Sequence, residues 1–199
     1  ALVTVMDASS EIHAQEFGEV QFTGQSLSGI VIFNLSHTAG EMLQDGESVS
    51  LCLDLVPDIN EADLYMHFRK FQTNNPERSL QACLNGFVHE KLATYILEQC
   101  RWKQERISEL NDVELQKLAD QIKKLTFHVT ATAGAEDAQV SRGGADTRFI
   151  DPETMKLTVQ EHVYVIGELL DTDGICGGYN LMWAVITGMK AGFSIYDSN

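Results

Sequence analysis

Basic side chains are scarce in this chain. Its 199 residues include 14 Lys and Arg against 29 Asp and Glu, which gives a formal net charge of -15. Nucleic acids and anionic membrane surfaces bind proteins through clustered Lys and Arg. We therefore expect neither a nucleic acid nor a membrane as a partner.

Long apolar runs and paired cysteines are also missing. No apolar run approaches the roughly 20 residues that a membrane-spanning helix requires. The cysteines show no CxxC spacing and fall mainly within apolar segments, as reduced and buried thiols do; they are Cys52, Cys83, Cys100 and Cys176. The six histidines are scattered along the chain, so no metal site is expected. These observations favour a cytoplasmic protein.

What remains is the composition of an ordinary globular protein, with 44% hydrophobic and 22% charged residues. Residues 1–6 have the β-branched alternation of a strand, and residues 17–22 are its predicted hairpin partner. Residues 23–29 are rich in Gly and Ser and predict a loop. The apolar residues 30–35 fit either a buried strand or the first turns of a helix, because periodicity does not decide between them.

The middle of the chain is predicted to be helical. Asn60 can cap a helix that ends before Asn74. Ser79 can cap the next helix, in which apolar residues keep helical spacing to Cys100, over about five turns. Gly86 inside this helix costs only about 1 kcal/mol relative to alanine, so we expect the helix to continue through it.

Strands are predicted on either side of these helices. Residues 47–55 and 126–132 alternate apolar and polar side chains, and a third helix is signalled over residues 115–125. The order of elements predicts a mixed β domain over residues 1–133 with a helical insertion at about residues 60–125. In this domain the last strand returns to the sheet that the N-terminal hairpin begins.

The carboxyl-terminal stretch predicts a strand, a turn and a helix. The uninterrupted apolar run of residues 163–166 is typical of a strand buried on both faces. An acidic, glycine-bearing turn over residues 168–178 follows, and then helical spacing over residues 179–192. Gly177 and Gly178 would let a phosphate or a planar ring approach the N–H groups of the first helical turn. The alternative is a tight strand-to-helix connection in which small residues serve packing only.

Three stretches in the same order resemble the HI0933/YhiN-like family of FAD-dependent flavoproteins. They read GEVQFTGQSLSGIVIFNLS at residues 18–36, AQVSRGGADTRFIDPETM at residues 138–155 and GELLDTDGICGGYNL at residues 167–181. In this family the Ser-Gly motif leads into a helix, so the resemblance favours a helix from Ser28 onward. It also implies that the acidic turn and the Gly-Gly-Tyr-Asn-Leu run close the flavin site.

The resemblance implies a set of FAD-binding residues. The carboxylate of Glu168 would accept a hydrogen bond from the ribityl chain, and backbone N–H groups of the Gly-Gly run would meet the isoalloxazine ring. The candidates are Gly167, Glu168, Asp171, Gly177, Gly178, Tyr179, Asn180 and Leu181. For Asp171 the alternative is a solvated acidic turn. Arg142, Gly143 and Gly144 would approach the flavin from the other side, although a surface role fits Arg142 as well.

The GxGxxG motif that holds the pyrophosphate of FAD does not occur in this sequence. We therefore expect an α+β chain in which a mixed β domain with a helical insertion precedes a connection over residues 134–160. Residues 161–199 would then be a C-terminal strand-turn-helix that belongs to an incomplete FAD-binding Rossmann-like domain. The expected partner is the N-terminal FAD-binding half of the same protein, with NAD(P)H or a small-molecule substrate.

The predicted function is that of a fragment of a flavin-dependent oxidoreductase, which supplies the segment that closes the isoalloxazine end of the FAD site. Such a fragment should bind FAD weakly and be inactive alone. Two alternatives stay open, a non-catalytic interaction or dimerisation module and an independent anion-binding protein that uses the turn at Gly177 and Gly178.

Overall fold

The computed structural model describes residues 1–24, 26–134, 136, 138 and 140–197. Gln25 in the predicted loop, three residues of the predicted connection and the last two residues of the chain lie outside the described residues; the three are Ala135, Asp137 and Gln139. The chain divides into two compact units, Ala1–Ala131 and Thr132–Asn199.

The first unit is built on a four-stranded antiparallel sheet in the order β2-β1-β5-β6. Its strands are β1 (Leu2–Met6), β2 (Ile12–Phe17), β5 (Val49–Asp54) and β6 (Leu125–Val129), and a separate two-stranded hairpin joins β3 (Gln21–Phe22) to β4 (Leu27–Ser28). The strands predicted near residues 1–6, 47–55 and 126–132 are confirmed.

The predicted hairpin partner of β1 was wrong. The chain reverses immediately after β1, because the carboxylate of Asp7 accepts hydrogen bonds from the backbone N–H groups of Ser9 and Glu11, both at 2.8 Å. Strand β2 therefore lies in the stretch that had been assigned to a polar connection, with Glu16 opposite Val3. A carboxylate on the inward side of β2 masks the alternation that marks a strand in the sequence.

Helix α1 (Ile30–Gln44) covers one face of this sheet. The helical interpretation of residues 30–35 is thereby confirmed. The core of this layer joins buried side chains of the helix to the inward side chains of three strands; it comprises Val3, Val5, Val31, Leu35, Ala39, Met42, Val49, Leu51, Leu53 and Leu125.

The helical insertion has its own core. Its helices are α2 (Glu61–Asn74), α3 (Leu80–Leu84), α4 (Glu90–Cys100) and α5 (Asp112–Lys123), with a single 3₁₀ turn at Ile107–Glu109. The predicted caps are confirmed, since the Asn60 side chain accepts from the N–H of Asp63 and the Ser79 side chain accepts from the N–H of Ala82. Leu64, Phe68, Ile96 and Leu118 are among its fully buried side chains.

The single five-turn helix predicted up to Cys100 was wrong. The N–H groups of Phe87 and Val88 both reach the carbonyl of Leu84, at 2.9 and 3.1 Å, which ends α3. His89 then caps α4 by accepting from the N–H of Lys91. The break places the Phe87 ring edge-on against Phe68 at 5.7 Å, and burial of this aromatic pair outweighs the small helical preference of the intervening residues.

The insertion leaves and rejoins the sheet at adjacent points. Leu53 pairs with Leu125 across β5 and β6, and the N–H of Leu55 donates to the carbonyl of Ile122 at 3.0 Å. Lys123 reinforces this junction, because its Nζ pairs with the Asp54 carboxylate at 2.5 Å and donates to two carbonyls of the loop before α2. Leu125, predicted to end the third helix, instead begins β6.

The second unit contains 3₁₀ turns at Thr147–Phe149 and Gly167–Leu169 and one long helix, α6 (Tyr179–Asp197). The predicted helix from Tyr179 is confirmed. Ile150, Met155, Leu170 and Ala191 form the buried core of the unit.

The predicted strand over residues 163–166 was wrong. Among the described residues, Tyr164 forms only an isolated bridge with Lys156, flanked by hydrogen bonds from Leu157 N to Val163 O and from Val165 N to Met155 O. A strand needs a neighbour over several residues to form a ladder. The described part of this unit offers a turn instead, so the segment is extended without being part of a sheet.

None of the helices within the described residues is long and apolar enough to cross a membrane.

Candidate functional site

The turn at Gly167–Leu169 is fixed against the second and third turns of α6. Gly167 is buried and has φ +61°, and its N–H donates to Oγ1 of Thr187 at 2.9 Å. A Cβ at this position would lie 3.3 Å from the Cβ of Ala184. The close approach of turn and helix thus explains why a glycine ends the extended segment here.

Glu168, the next residue, projects from this turn and contacts a second segment. Its Oε1 accepts a hydrogen bond from the backbone N–H of Ser141 at 2.6 Å. Beside it, the N–H of Ala145 donates to the carbonyl of Leu169 at 2.7 Å, and the N–H of Asp171 donates to the carbonyl of Ala145 at 3.0 Å. These hydrogen bonds join residues 141–145 to residues 168–171, and we name the two joined segments the clasp. The sequence analysis had assigned the two segments to opposite sides of the cofactor.

Gly144 is the tightest point of this clasp. Its φ is +152°, and a Cβ built on it would lie 2.6 Å from the carbonyl oxygen of Leu169 and 2.7 Å from the carbonyl carbon of Leu170. Real Cβ atoms do not approach backbone this closely. Only glycine allows the two backbones to meet.

The clasp is acidic and carries one nearby guanidinium. Glu168, Asp171 and Asp173 are exposed, and Nε of Arg142 lies 3.5 Å from Oδ1 of Asp173. An ionised carboxylate only accepts hydrogen bonds and repels phosphate. This edge of the unit is therefore suited to a ligand that presents hydroxyl donors.

The start of α6 is held by a side chain that returns to the preceding turn. Oδ1 of Asn180 accepts from the N–H of Gly174 at 2.7 Å, and its Nδ2 donates to the carbonyl of Gly174 at 2.9 Å. Between them, Gly177 and Gly178 have φ values of +135° and +93°, and a Cβ at Gly178 would meet nothing within 4 Å. Tyr179 is 62% exposed. The amino end of α6 is thus open to an approaching group.

Leu181, the last of the predicted site residues, is 73% exposed and belongs to a broad apolar surface on α6. The exposed apolar side chains of this helix, named here the α6 face, are Tyr179, Leu181, Met182, Val185, Ile186, Met189, Phe193, Ile195 and Tyr196. So large an apolar surface marks an interaction site.

These features fit the flavin end of FAD. A helix amino end with two exposed glycines offers N–H groups and room for a flat ring. The carboxylate of Glu168 in the adjoining clasp can accept from a polyol hydroxyl. In the described residues no three or more His, Cys, Asp or Glu side chains are grouped so that they could hold a metal ion.

Two perturbed carboxyl groups lie outside the clasp in the same unit. Hydrogen bonds from the Arg148 side chain lower the pKa of Asp146, and a hydrogen bond from the N–H of Glu153 lowers the pKa of Asp151. Both groups are tied to local turns, so their perturbed pKa values reflect turn structure and do not indicate proton transfer.

Sequence reasoning missed Ser141 and Thr187. Ser141 acts through its backbone N–H, for which no side-chain pattern exists. Thr187 carried a signal, since it is a lone hydroxyl in an apolar helical stretch, and such a residue is buried only when its hydroxyl has partners.

Two family models match this chain. Residues 2–140 match the family model of the HI0933-like protein barrel and H2TH domain, and residues 97–194 match that of the HI0933-like protein Rossmann domain. The expected Rossmann-like domain in the C-terminal region is therefore confirmed at the level of the family.

Individual relatives cover most of this chain. A 3-dehydro-bile acid delta(4,6)-reductase from Clostridium scindens is 32% identical over 92% of the chain and 45% of its own length. Ribosomal RNA dihydrouridine synthases from Haemophilus influenzae and Escherichia coli are 30% and 29% identical, over 90% and 82% of the chain and 42% and 38% of their own lengths. The chain thus spans less than half the length of these curated relatives.

The family models cover the chain from its first strand to its last helix, and the glycine run and acidic turn fall within the second match. The chain belongs to the HI0933-like family of flavin-dependent oxidoreductases.

Proposed function

We propose that this chain is the carboxyl-terminal part of a longer flavin-dependent oxidoreductase and that it closes the isoalloxazine end of the FAD site. One observation carries the proposal. The clasp that presents Glu168 is bonded to the same helix whose amino end presents Gly177 and Gly178. A carboxylate acceptor and a set of helix N–H groups thus belong to two segments that are hydrogen-bonded to each other.

Different residues would contact different parts of FAD. Glu168 would accept from the ribityl chain, and the backbone from Gly177 to Leu181 would face the ring. When bound, FAD supplies the hydride-transfer chemistry. The N–H groups and the positive end of α6 would favour negative charge on the adjacent edge of the ring. Asp171 donates its backbone N–H within the clasp, and its exposed carboxylate would be a further contact to the cofactor.

The proposed partner is the N-terminal FAD-binding half of the same protein. Three observations support it. The chain spans 45% of the length of the bile acid reductase, and residues 97–194 match a Rossmann domain although the described part of Thr132–Asn199 contains no sheet. In addition, the α6 face leaves nine large apolar side chains exposed, as expected of a helix that packs on a sheet elsewhere in the protein.

We further propose a small organic substrate and NAD(P)H as the reductant. Some relatives are named for ribosomal RNA and one for a bile acid. The first 68 residues of this chain contain 11 Asp and Glu and no Lys or Arg, and such a surface repels a polyanion. Charge therefore favours a small acceptor over RNA. The reduced thiols of Cys52, Cys83 and Cys100 fit a cytoplasmic location.

The test uses the full-length protein that contains this chain. It should purify yellow, with flavin absorbance near about 450 nm, and should oxidise NAD(P)H in the presence of small electron-poor alkenes but not of ribosomal RNA. A colourless protein that also fails to take up added FAD would remove the proposed function.

Glu168 provides the residue-level test. Glu168→Gln keeps an oxygen for the N–H of Ser141 but loses the charge, whereas Glu168→Ala loses both. A charge-assisted hydrogen bond contributes about 1.5–3 kcal/mol, so Glu168→Ala should weaken FAD binding roughly 10- to 100-fold, and Glu168→Gln less. Glu161→Gln is the control, because the Glu161 side chain is 86% exposed. Unchanged affinity in Glu168→Ala would exclude the ribityl contact.

A further inference from the structure

Thr187 is a buried hydroxyl in the middle of α6. It is 1% exposed, and its Oγ1 donates to the carbonyl of Trp183 at 2.7 Å while accepting from the N–H of Gly167 at 2.9 Å. A hydroxyl has one proton and two lone pairs, so it can serve both partners at once. Valine has the same shape and could serve neither.

The N–H of Gly167 depends on this hydroxyl. Gly167 is buried, with Ala184 on one side, so water cannot easily replace a lost partner. A buried N–H without an acceptor is costly, and the structure would relieve that cost by moving the turn away from the helix. The Thr187 side chain is therefore the hydrogen-bonding contact that holds the turn at its distance from α6.

Glu168 follows Gly167 directly, and the amino end of α6 lies two turns before Thr187. A shift of the turn would move the Glu168 carboxylate relative to Gly177 and Gly178. Displacements of about 1 Å are enough to impair a site that depends on several aligned groups.

We propose that Thr187 is a positioning residue for the flavin site: by accepting the N–H of Gly167 it fixes the distance between the Glu168 carboxylate and the amino end of α6. This inference rests on the proposed function. Because Thr187 is buried, its side chain would not touch the cofactor.

The experiment compares Thr187→Val and Thr187→Ser in the full-length protein. Three quantities are measured, namely the dissociation constant of FAD by fluorescence titration, the reduction potential of the bound flavin and hydrogen exchange of the Gly167 amide. Thr187→Val should weaken FAD binding about tenfold, shift the potential and speed exchange at Gly167. Thr187→Ser keeps the hydroxyl and should stay within about twofold of the unchanged protein.

Ala191→Gly controls for a loss of stability alone. Ala191 is buried in the same helix but lies outside the clasp, so this change should lower the melting temperature without shifting the flavin potential. Equal potentials and affinities in Thr187→Val and the unchanged protein would overturn the inference, as would a failure of Thr187→Ser to rescue them. An effect of Ala191→Gly as large as that of Thr187→Val would also overturn it.

The two proposals fail differently. If the unchanged full-length protein binds no FAD, the proposed function falls and this inference with it. If it binds FAD and the valine variant behaves identically, only the role of Thr187 is lost.

Discussion

Replacing Gly144 with alanine should open the clasp between residues 141–145 and 168–171. The added Cβ would lie 2.6 Å from Leu169 O, 2.7 Å from Leu170 C and 2.9 Å from Asp171 N. All three are backbone atoms, which cannot rotate away. The two segments must separate, and the hydrogen bonds of Ala145 to Leu169 and of Asp171 to Ala145 are then lost.

The magnitude follows from these losses. Each of the two hydrogen bonds contributes about 0.5–1.5 kcal/mol, and a side chain at a φ of +152° adds about 1–3 kcal/mol of backbone strain. Together these amount to about 2–6 kcal/mol. At about 1.4 kcal/mol per tenfold change, local opening of the clasp should become roughly 30- to 20,000-fold more frequent.

Native-state hydrogen exchange at Ala145 and Asp171 measures this opening directly. Gly143→Ala is the matched control, because Gly143 also has a positive φ, +94°, but a Cβ there would meet nothing within 4 Å. The control should therefore show backbone strain without the steric clash. Exchange in Gly144→Ala within threefold of the unchanged protein, or no faster than in Gly143→Ala, would refute the reasoning.

Two further predictions concern the first unit. Lys123→Met should destabilise the chain by about 2–3 kcal/mol in urea titrations, because it leaves the partly buried Asp54 carboxylate and two loop carbonyls without their cation. The control is Lys124→Met, which removes an exposed lysine and should change the free energy of unfolding by less than about 1 kcal/mol. Equal effects of the two variants would contradict the role assigned to Lys123. Burial raises the pKa of the Cys83 thiol to about 12. Between the ordinary pKa of a cysteine and this raised pKa, the thiol is protonated in the folded chain and ionised in the unfolded chain. The free energy of unfolding should then fall as pH rises from about 9 toward 12, by about 1.4 kcal/mol per pH unit for this thiol. Urea titrations at several pH values should show a steeper fall of this free energy with pH in the unchanged chain than in Cys83→Ala. An equal pH dependence in the two proteins would contradict the prediction.

Local signals in the sequence were sufficient where a single residue decides the structure. Asn60 and Ser79 were identified as caps because a side-chain oxygen just before an apolar helical pattern can accept a hydrogen bond from an N–H of the first helical turn. Both side chains accept the expected N–H. The starts of α2 and α3 therefore followed from the sequence alone.

Predictions failed where tertiary contacts outweigh local preference. Gly86 looked tolerable within a helix, but packing of Phe87 on Phe68 turns the chain there. The apolar residues 163–166 looked like a strand, but β structure depends on a neighbour that local sequence cannot supply.

The clasp shows a third kind of limit. The motifs that contain Gly144 and Glu168 were both recognised, but their direct contact runs through backbone atoms and the N–H of Ser141. Contacts between backbone atoms do not depend on residue type, so the sequence does not predict them, apart from the glycine that a close backbone approach requires.

The junction between Leu55 and Ile122 has a consequence for how the first unit folds. Pairing β5 with β6 from an unstructured chain means closing a loop of about 70 residues, which opposes folding by about 4 kcal/mol of chain entropy. Once the four helices have assembled on their own core, the N–H of Leu55 already meets the carbonyl of Ile122. The ends of the long loop are then neighbours. Strand β6 can therefore pair with β5 as if a short hairpin loop joined the two strands.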